Sequence, residues 1–331
     1  MIPAGVVWLA LGLLPSAARG GDTFAKIHAT GVVRCGVNEA LRGFAQQDAQ
    51  GHWTGLNVDF CRAVAAATLG DAEKVDFVPL RASARFLALQ SGEIDLLVRN
   101  TTWTLEREAG LGVHFVGTLF YDGQTVMVQH ESKVSHIAEL NGVTMCLEKG
   151  TNHNENLTDY FRTHGLTYQP LILDSLAEVK DAFFAGRCQG YTSDLSQLAA
   201  IRAEVPGGAE RFVILPELIA KEPLSPVVQR GDEAWFTLVK WVLFALIEAD
   251  VRGDVGRQRH PHWCVRQCGE CRHLCRAWQA IELRAIPALR RAVDPLPVGG
   301  SGPVCAGPVL RHRPLAASWD RHAPAWLFWI V

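Results

Sequence analysis

The sequence contains no apolar run of the roughly 20 residues that a helix needs to cross a bilayer. Its longest candidates are residues 6–14 and the stretch "WFTLVKWVLFALIEAD", which is too short and is interrupted by Lys240. A membrane-spanning helix is thereby excluded. Excess charge is also lacking: the formal net charge is -2, so no global positive field exists to collect phosphates, and nucleic acid is excluded as a partner. Lysine is missing altogether after residue 251. From residue 252 onward there are twelve Arg, no Lys and five acids, together with five of the nine Cys and half of the ten Trp. The first 251 residues are acidic and the tail is basic, and such a break in usage marks a boundary.

What is present suits a soluble globular protein, with 48% hydrophobic and 20% charged residues in a chain of 331, long enough for two domains. The opening "MIPAGVVWLALGLLPSAARGGD" places a nine-residue apolar run before Ser16, Ala17 and Ala18. It reads as a secretory signal over residues 1–20, although no Lys or Arg precedes the run; a buried N-terminal strand or a misplaced start is the alternative.

From Gly31, β-rich and helical runs alternate. "GVVRCGV", "VDFVPL" and "IDLLVRN" read as strands. Between them "VDFCRAVAAATLG" and "ASARFLALQSG" read as helices, stopped at Gly70 and Gly92. The pattern restarts with strands "GVTMCLEKG", "TYQPLILD" and "RCQGYTSD". These flank the helices "NHNENLTDYFRTHG" and "SLAEVKDAFFAG", the second with Ser175 and Glu178 at capping-box spacing. Two successive βαβαβ units predict two α/β lobes, with a ligand cleft between them at the carboxyl ends of the strands. The boundaries are 21–124 for the first lobe, 125–225 for the second and 226–251 for a return to the first. A crossing back near residues 222–225 makes a hinge and lays the last apolar helix on the first sheet.

The segments "GLNVDFCRAVAAA", "RFLALQSGEIDLLVRNTTWTLERE", "YDGQTVMVQ", "GRCQGYTSDLS" and "ILPELIAKEPLSPVVQRGDEAWF" resemble the periplasmic solute-binding proteins of polar amino acid ABC importers. The nearest group is the general L-amino acid subgroup of the family 3 extracellular proteins, and the likeness covers about residues 23–250. It implies a two-lobed type II periplasmic binding protein fold with a hinge of two crossover strands. The implied action is non-enzymatic: a monomer in the periplasm, without cofactor, captures free L-amino acids and delivers them to permease subunits in the inner membrane. By position, the resemblance assigns Arg107 and Thr102 to the ligand α-carboxylate, and the backbone carbonyl of Asn100 to its ammonium. Asp194 neutralises that ammonium from the second lobe, and backbone N–H groups around Thr151 and Asn152 hold the carboxylate at a helix start.

The chemistry is coherent, because a zwitterion is costly to desolvate unless both charges find partners. Arg107 offers a planar fork, and "KGTNHNEN" offers free N–H groups at a positive helix end. Read alone, Arg107 is a solvated charge on an amphipathic helix, Asp194 is the N-cap of "LSQLAAIRAE", and Thr101 and Thr102 are ordinary strand-end residues. Leu41 stands where narrow-specificity relatives place a stacking aromatic, leaving Phe44 as the only ring of "NEALRGF". Broad specificity follows. Trp103 is a candidate cleft wall or a core residue. Asn57 departs from an acidic family position, and Glu39 and Arg42 add charge near the expected mouth.

Four cysteines fall in the matched region, and an exported protein meets an oxidising compartment. One disulfide per lobe, Cys35 with Cys61 and Cys146 with Cys188, is the preferred connectivity of three, with free buried thiols as the alternative. The tail, 252–331, does not match the family and has neither helical nor strand periodicity. Its Arg-rich, Lys-free composition is that of a GC-rich frame read out of register, so a frameshift after Asp250 and a disordered tail are expected. Cys264, Cys268, Cys271 and Cys275, with His260, His262 and His273 nearby, lack the two separated knuckles of usual zinc modules, and no metal is expected. Two other functions stay open: an enzyme of dehydratase or lyase type on the same fold, with Glu39 as its acid or base, and a metal sensor using the tail.

Overall fold

The computed structural model describes residues 23–251. The expected signal segment and the tail, with its cysteine cluster at 264–275, lie outside the described residues. Two sheets organise the rest. The first runs in the order Val75–Leu80, Val33–Asn38, Leu96–Leu97, Val227–Gln229, Val113–Phe115. Its first three strands are parallel, Val227–Gln229 runs antiparallel to both its neighbours, and Val113–Phe115 runs in the same direction as the first three. The second runs Phe212–Ile214, Phe120–Gln129, Gly190–Asp194, Val143–Glu148, Tyr168–Leu173, with Ala220–Leu224 also paired to Phe120–Gln129.

The chain leaves the first sheet after Phe115 and enters the second at Phe120; it leaves the second at Leu224 and rejoins the first at Val227. Both passages are held together, because Phe120 to Gln124 pair antiparallel with Leu224 to Ala220. The first lobe clips onto this ribbon through Trp103 N–H to the Pro223 carbonyl (2.9 Å) and Ser225 N–H to the Thr101 carbonyl (3.0 Å). A two-stranded crossing bends more readily than a packed core, and this gives the fold a hinge.

Local sequence explains the helices. Leu56–Leu69 buries Val58, Phe60, Cys61 and Val64 on one face and stops at Gly70, which takes the left-handed conformation (φ 73°) that residues with a Cβ avoid. Ser175 caps Leu176–Phe184 by accepting the Glu178 N–H at 3.2 Å. The reciprocal arm of the expected box is shifted: the Glu178 carboxylate accepts from Asp174 N–H instead. The apolar helix Glu233–Val251 covers the first sheet, burying Trp235, Leu238, Val239, Val242 and Leu243. A short N-terminal helix, Thr23–Thr30, is not legible in the pattern, since it buries only Ile27. Phe24 meets Trp235 edge-on at 5.6 Å.

Each lobe carries one disulfide. Cys35–Cys61 ties the first strand to the helix behind it, and Cys146–Cys188 ties the strand Val143–Glu148 to the turn between Leu176–Phe184 and Gly190–Asp194.

Candidate functional site

Between the sheets lies a cleft walled by Arg85, Arg99, Asn100 and Thr102 from the first lobe and by Glu148, Thr151, Asn152, His153, Asp194 and Gln197 from the second. Several of these sit where strands end: Asn100 and Thr102 follow Leu96–Leu97, Glu148 closes Val143–Glu148, and Asp194 closes Gly190–Asp194. Strand carboxyl ends are where α/β sheets present ligand-binding groups. The lobes are in contact. Gly150 (φ 83°) lies so near the other lobe that a Cβ there would stand 2.6 Å from Ser83 Cα, so only glycine fits. Arg85 Nη2 donates to the Gly150 carbonyl at 3.1 Å, and Arg99 Nη2 pairs with Glu148 Oε1 at 3.2 Å.

Arg107 is buried rather than solvated. Thr104 caps its short helix, accepting from Arg107 N–H. The guanidinium gives Nη1 to the Thr102 carbonyl (2.8 Å) and Nη2 to Asn152 Oδ1 (3.3 Å), and Thr102 Oγ1 donates to the same Oδ1 at 3.4 Å. The amide oxygen of Asn152 thus receives both donors that the resemblance assigns to a ligand carboxylate. Arg107 itself stands behind Asn152, off the cleft wall. Burial lowers its pKa, opposed by Glu222 and Asp194. Asn152 precedes the helix His153–Thr163 without capping it, leaving the first-turn N–H groups uncapped by that side chain. Its Nδ2 goes to both oxygens of Glu222, at 3.0 and 3.1 Å.

Asp194 occupies the N-cap position of Leu195–Glu204 but makes no capping bond. Its carboxylate instead accepts from His153 Nε2 at 3.0 Å, with both side chains buried. Burial disfavours the charged imidazole, yet the hydrogen bond and charge of Asp194, with Glu222 and Glu148 beyond, outweigh it and raise the His153 pKa. Close by, burial and then the Asp194 charge push Asp122 up to about 7. Asn100 adopts φ 40°, a left-handed conformation that Asn tolerates better than most residues, and its Nδ2 is buried without a partner. Asn57 fixes it from behind, donating to Asn100 Oδ1 at 2.8 Å and to Asn38 Oδ1 at 3.0 Å. Thr151 Oγ1 donates to the Glu148 carbonyl at 2.8 Å.

Phe44 is not brought to this cleft. It meets Phe120 edge-on at 5.4 Å, packs with Leu41 and Leu224, and lines an adjoining cavity beside the hinge that shares Arg99 and Asn100 with the cleft. Leu41 is buried in the same cluster, so neither residue floors the cleft. Trp103 is partly exposed, stacked on Phe115 at 5.8 Å and donating to Glu108 at 2.5 Å. Glu39 is exposed, 3.9 Å from Arg81, and does not line the cleft. Sequence reasoning missed Arg85, Arg99, Glu148, His153, Gln197 and Glu222. The readable signals were charges at the ends of apolar strands, in "VRN" and "CLEKG". Among the described residues no group of three or more His, Cys, Asp or Glu is placed to hold a metal ion.

The model of the bacterial extracellular solute-binding proteins, family 3, matches residues 33–252. The chain belongs to this family. As a family 3 solute-binding protein it is 47% identical over 249 residues to the general L-amino acid-binding periplasmic protein AapJ of Rhizobium johnstonii, covering 75% of this chain and 72% of that one. It is 46% identical over 245 residues to the glutamate/glutamine/aspartate/asparagine-binding protein BztA of Rhodobacter capsulatus, covering 74% and 72%. Among solved structures, a Brucella ovis ABC transporter periplasmic binding protein with glutathione bound superposes with a TM-score of 0.68 at 40% identity, covering 73% of this chain and 78% of that one. These relatives are binding proteins, and the fold is the two-lobed type II arrangement.

Proposed function

We propose that this protein captures free L-amino acids in the periplasm with broad specificity and hands them to the permease subunits of an ABC importer by closing and opening about its hinge. The observation that carries this is the convergence of Arg107 Nη2 and Thr102 Oγ1 on one oxygen, Asn152 Oδ1, at 3.3 and 3.4 Å. A ligand α-carboxylate takes that acceptor position as Asn152 swings aside, and the uncapped N–H groups at Thr151 and Asn152 add to its field. The ammonium lies toward Asp194 and the Asn100 carbonyl. Neither a stacking ring nor a dedicated aromatic floor sorts side chains, since Leu41 and Phe44 pack elsewhere. The names of the relatives, an L-amino acid-binding and a glutamate/glutamine/aspartate/asparagine-binding protein, support the same reading. The protein acts as a monomer, with lobes 21–124 and 125–225 and the return segment 226–251.

Titration calorimetry of the purified chain against the L-amino acids tests it. Several should bind at one per protein and be recovered unmodified. Heat from none of them, or conversion of a ligand to product, overturns the proposal.

A further inference from the structure

Asn152 belongs to the second lobe, yet its side chain bonds to the first lobe and to the hinge. Oδ1 accepts from Arg107 Nη2 at 3.3 Å and from Thr102 Oγ1 at 3.4 Å, while Nδ2 donates to both carboxylate oxygens of Glu222, at 3.0 and 3.1 Å. These partners fix which way the amide faces, because a guanidinium only donates and an ionised carboxylate only accepts. All three partners are buried, Glu222 completely. The local task open to Asn152 is left undone. It stands at the N-cap position of His153–Thr163, where Asn is among the most favoured residues, but its side chain makes no capping bond.

An amide carries an acceptor oxygen and N–H donors side by side. Here the oxygen meets the donors assigned above to a ligand α-carboxylate, and the NH2 group meets an anion as an ammonium would. We infer that Asn152 is a surrogate ligand: its amide fills the α-carboxylate position between the lobes, holds the empty clamp closed and must be displaced by the incoming amino acid. It therefore sets affinity without sorting side chains. The inference rests on the amino acid reading of the site. Displacement strands no buried group, since the ligand carboxylate takes over Arg107 and Thr102 and Glu222 keeps Asn156 Nδ2 at 2.8 Å. The freed Asn152 side chain is then in place to cap its own helix. A surplus of about one charge-assisted hydrogen bond makes the closed empty form outnumber the open one about 10-fold, and apparent affinity falls by about that factor. The competing role for Asn152 is a structural brace, which would add stability and leave affinity alone.

Small-angle X-ray scattering and titration calorimetry of the full chain distinguish these roles, with L-glutamine and L-asparagine as probes that share their α groups and differ in side-chain length. Wild type should keep its radius of gyration when saturated with glutamine, because it is already closed. A contraction overturns the inference, and this measurement needs no variant to fold. Asn152→Ala should be larger than wild type without ligand and should contract to the wild-type value with it. Calorimetry should find both amino acids bound about 10-fold more tightly by Asn152→Ala than by wild type. Unchanged affinity with a lower melting temperature means a brace, weaker binding of both probes means a direct ligand contact, and a change for one probe alone means a side-chain filter. Each of these overturns the inference and leaves amino acid capture intact. If neither wild type nor Asn152→Ala binds any L-amino acid, the amino acid reading fails and this inference fails with it.

Discussion

The two sides of the cleft differ in the sign of what they carry: the first lobe contributes Arg85 and Arg99 to the wall with Arg107 behind it, while the second contributes Glu148 and Asp194, with Glu222 of the hinge's return strand behind Asn152. Within each wall like charges crowd one another, and both effects are visible. Arg107 and Arg99 add to burial in depressing Arg85, and Asp194 adds to burial in raising Asp122. Across the cleft the charges complement each other, as the Arg99–Glu148 pair at 3.2 Å shows. Neither wall is electrostatically content by itself. Closure is what brings opposite signs together, and a zwitterion fits the same polarity, with its carboxylate toward the arginines and its ammonium toward Asp194.

The strongest way to break this comparison is to remove the charge of the first lobe at the clamp. Arg107→Ala should weaken amino acid binding about 1,000-fold, since two charge-assisted bonds together contribute about 4 kcal/mol. Arg107→Lys should recover only part, because an ammonium lacks the planar fork that serves the Thr102 carbonyl and a carboxylate together. Unchanged calorimetric affinity in Arg107→Ala would show that the polarity of the walls has nothing to do with capture.

A second comparison sets one lobe's staple against the other's. The bridges close loops of 26 residues in the first lobe and 42 in the second. Chain entropy assigns them about 3.5 and about 3.9 kcal/mol, so the Cys146→Ala/Cys188→Ala pair should cost about 0.4 kcal/mol more than Cys35→Ala/Cys61→Ala. Urea unfolding of the two double variants measures both costs. Little loss of stability from either variant would mean that the reduced reference chain already holds the structure that the bridge enforces.

The contrast between local order and contact across the cleft also explains which features are legible in the sequence. The alternation of strands and helices, the stops at Gly70 and Gly92 and the Ser175 cap are local, and neighbouring residues set them. The clamp is legible because Thr102, Arg107 and Asp194 lie in segments with a family pattern. Arg85 and His153 are not, since each sits in the first turn of a helix, where a polar residue reads as solvent-facing; residues distant in sequence, Gly150 and Asp194, meet them in the fold. Phe44 misleads for the converse reason. A lone ring in a polar loop looks available to a ligand, but Phe120 and Leu224, distant in sequence, take it into the hinge cluster.

His153 offers the finest test, because its protonated form places a cation on the acidic wall and so blurs the contrast between the lobes. With its folded pKa raised above the ordinary 6.5, its protonated form stabilises the folded state fully below that value, and the contribution is lost as pH rises through the folded pKa. Gln in its place can still donate an N–H to Asp194 but cannot carry the charge. The stability of wild type over His153→Gln should therefore be about 2 kcal/mol in acid and shrink toward zero in alkali. Melting temperatures measured from about pH 5 to about pH 9 follow the trend. A gap that stays constant would make the pair with Asp194 an uncharged hydrogen bond, and a gap that widens with pH would mean that neutral imidazole is the form the acidic wall prefers.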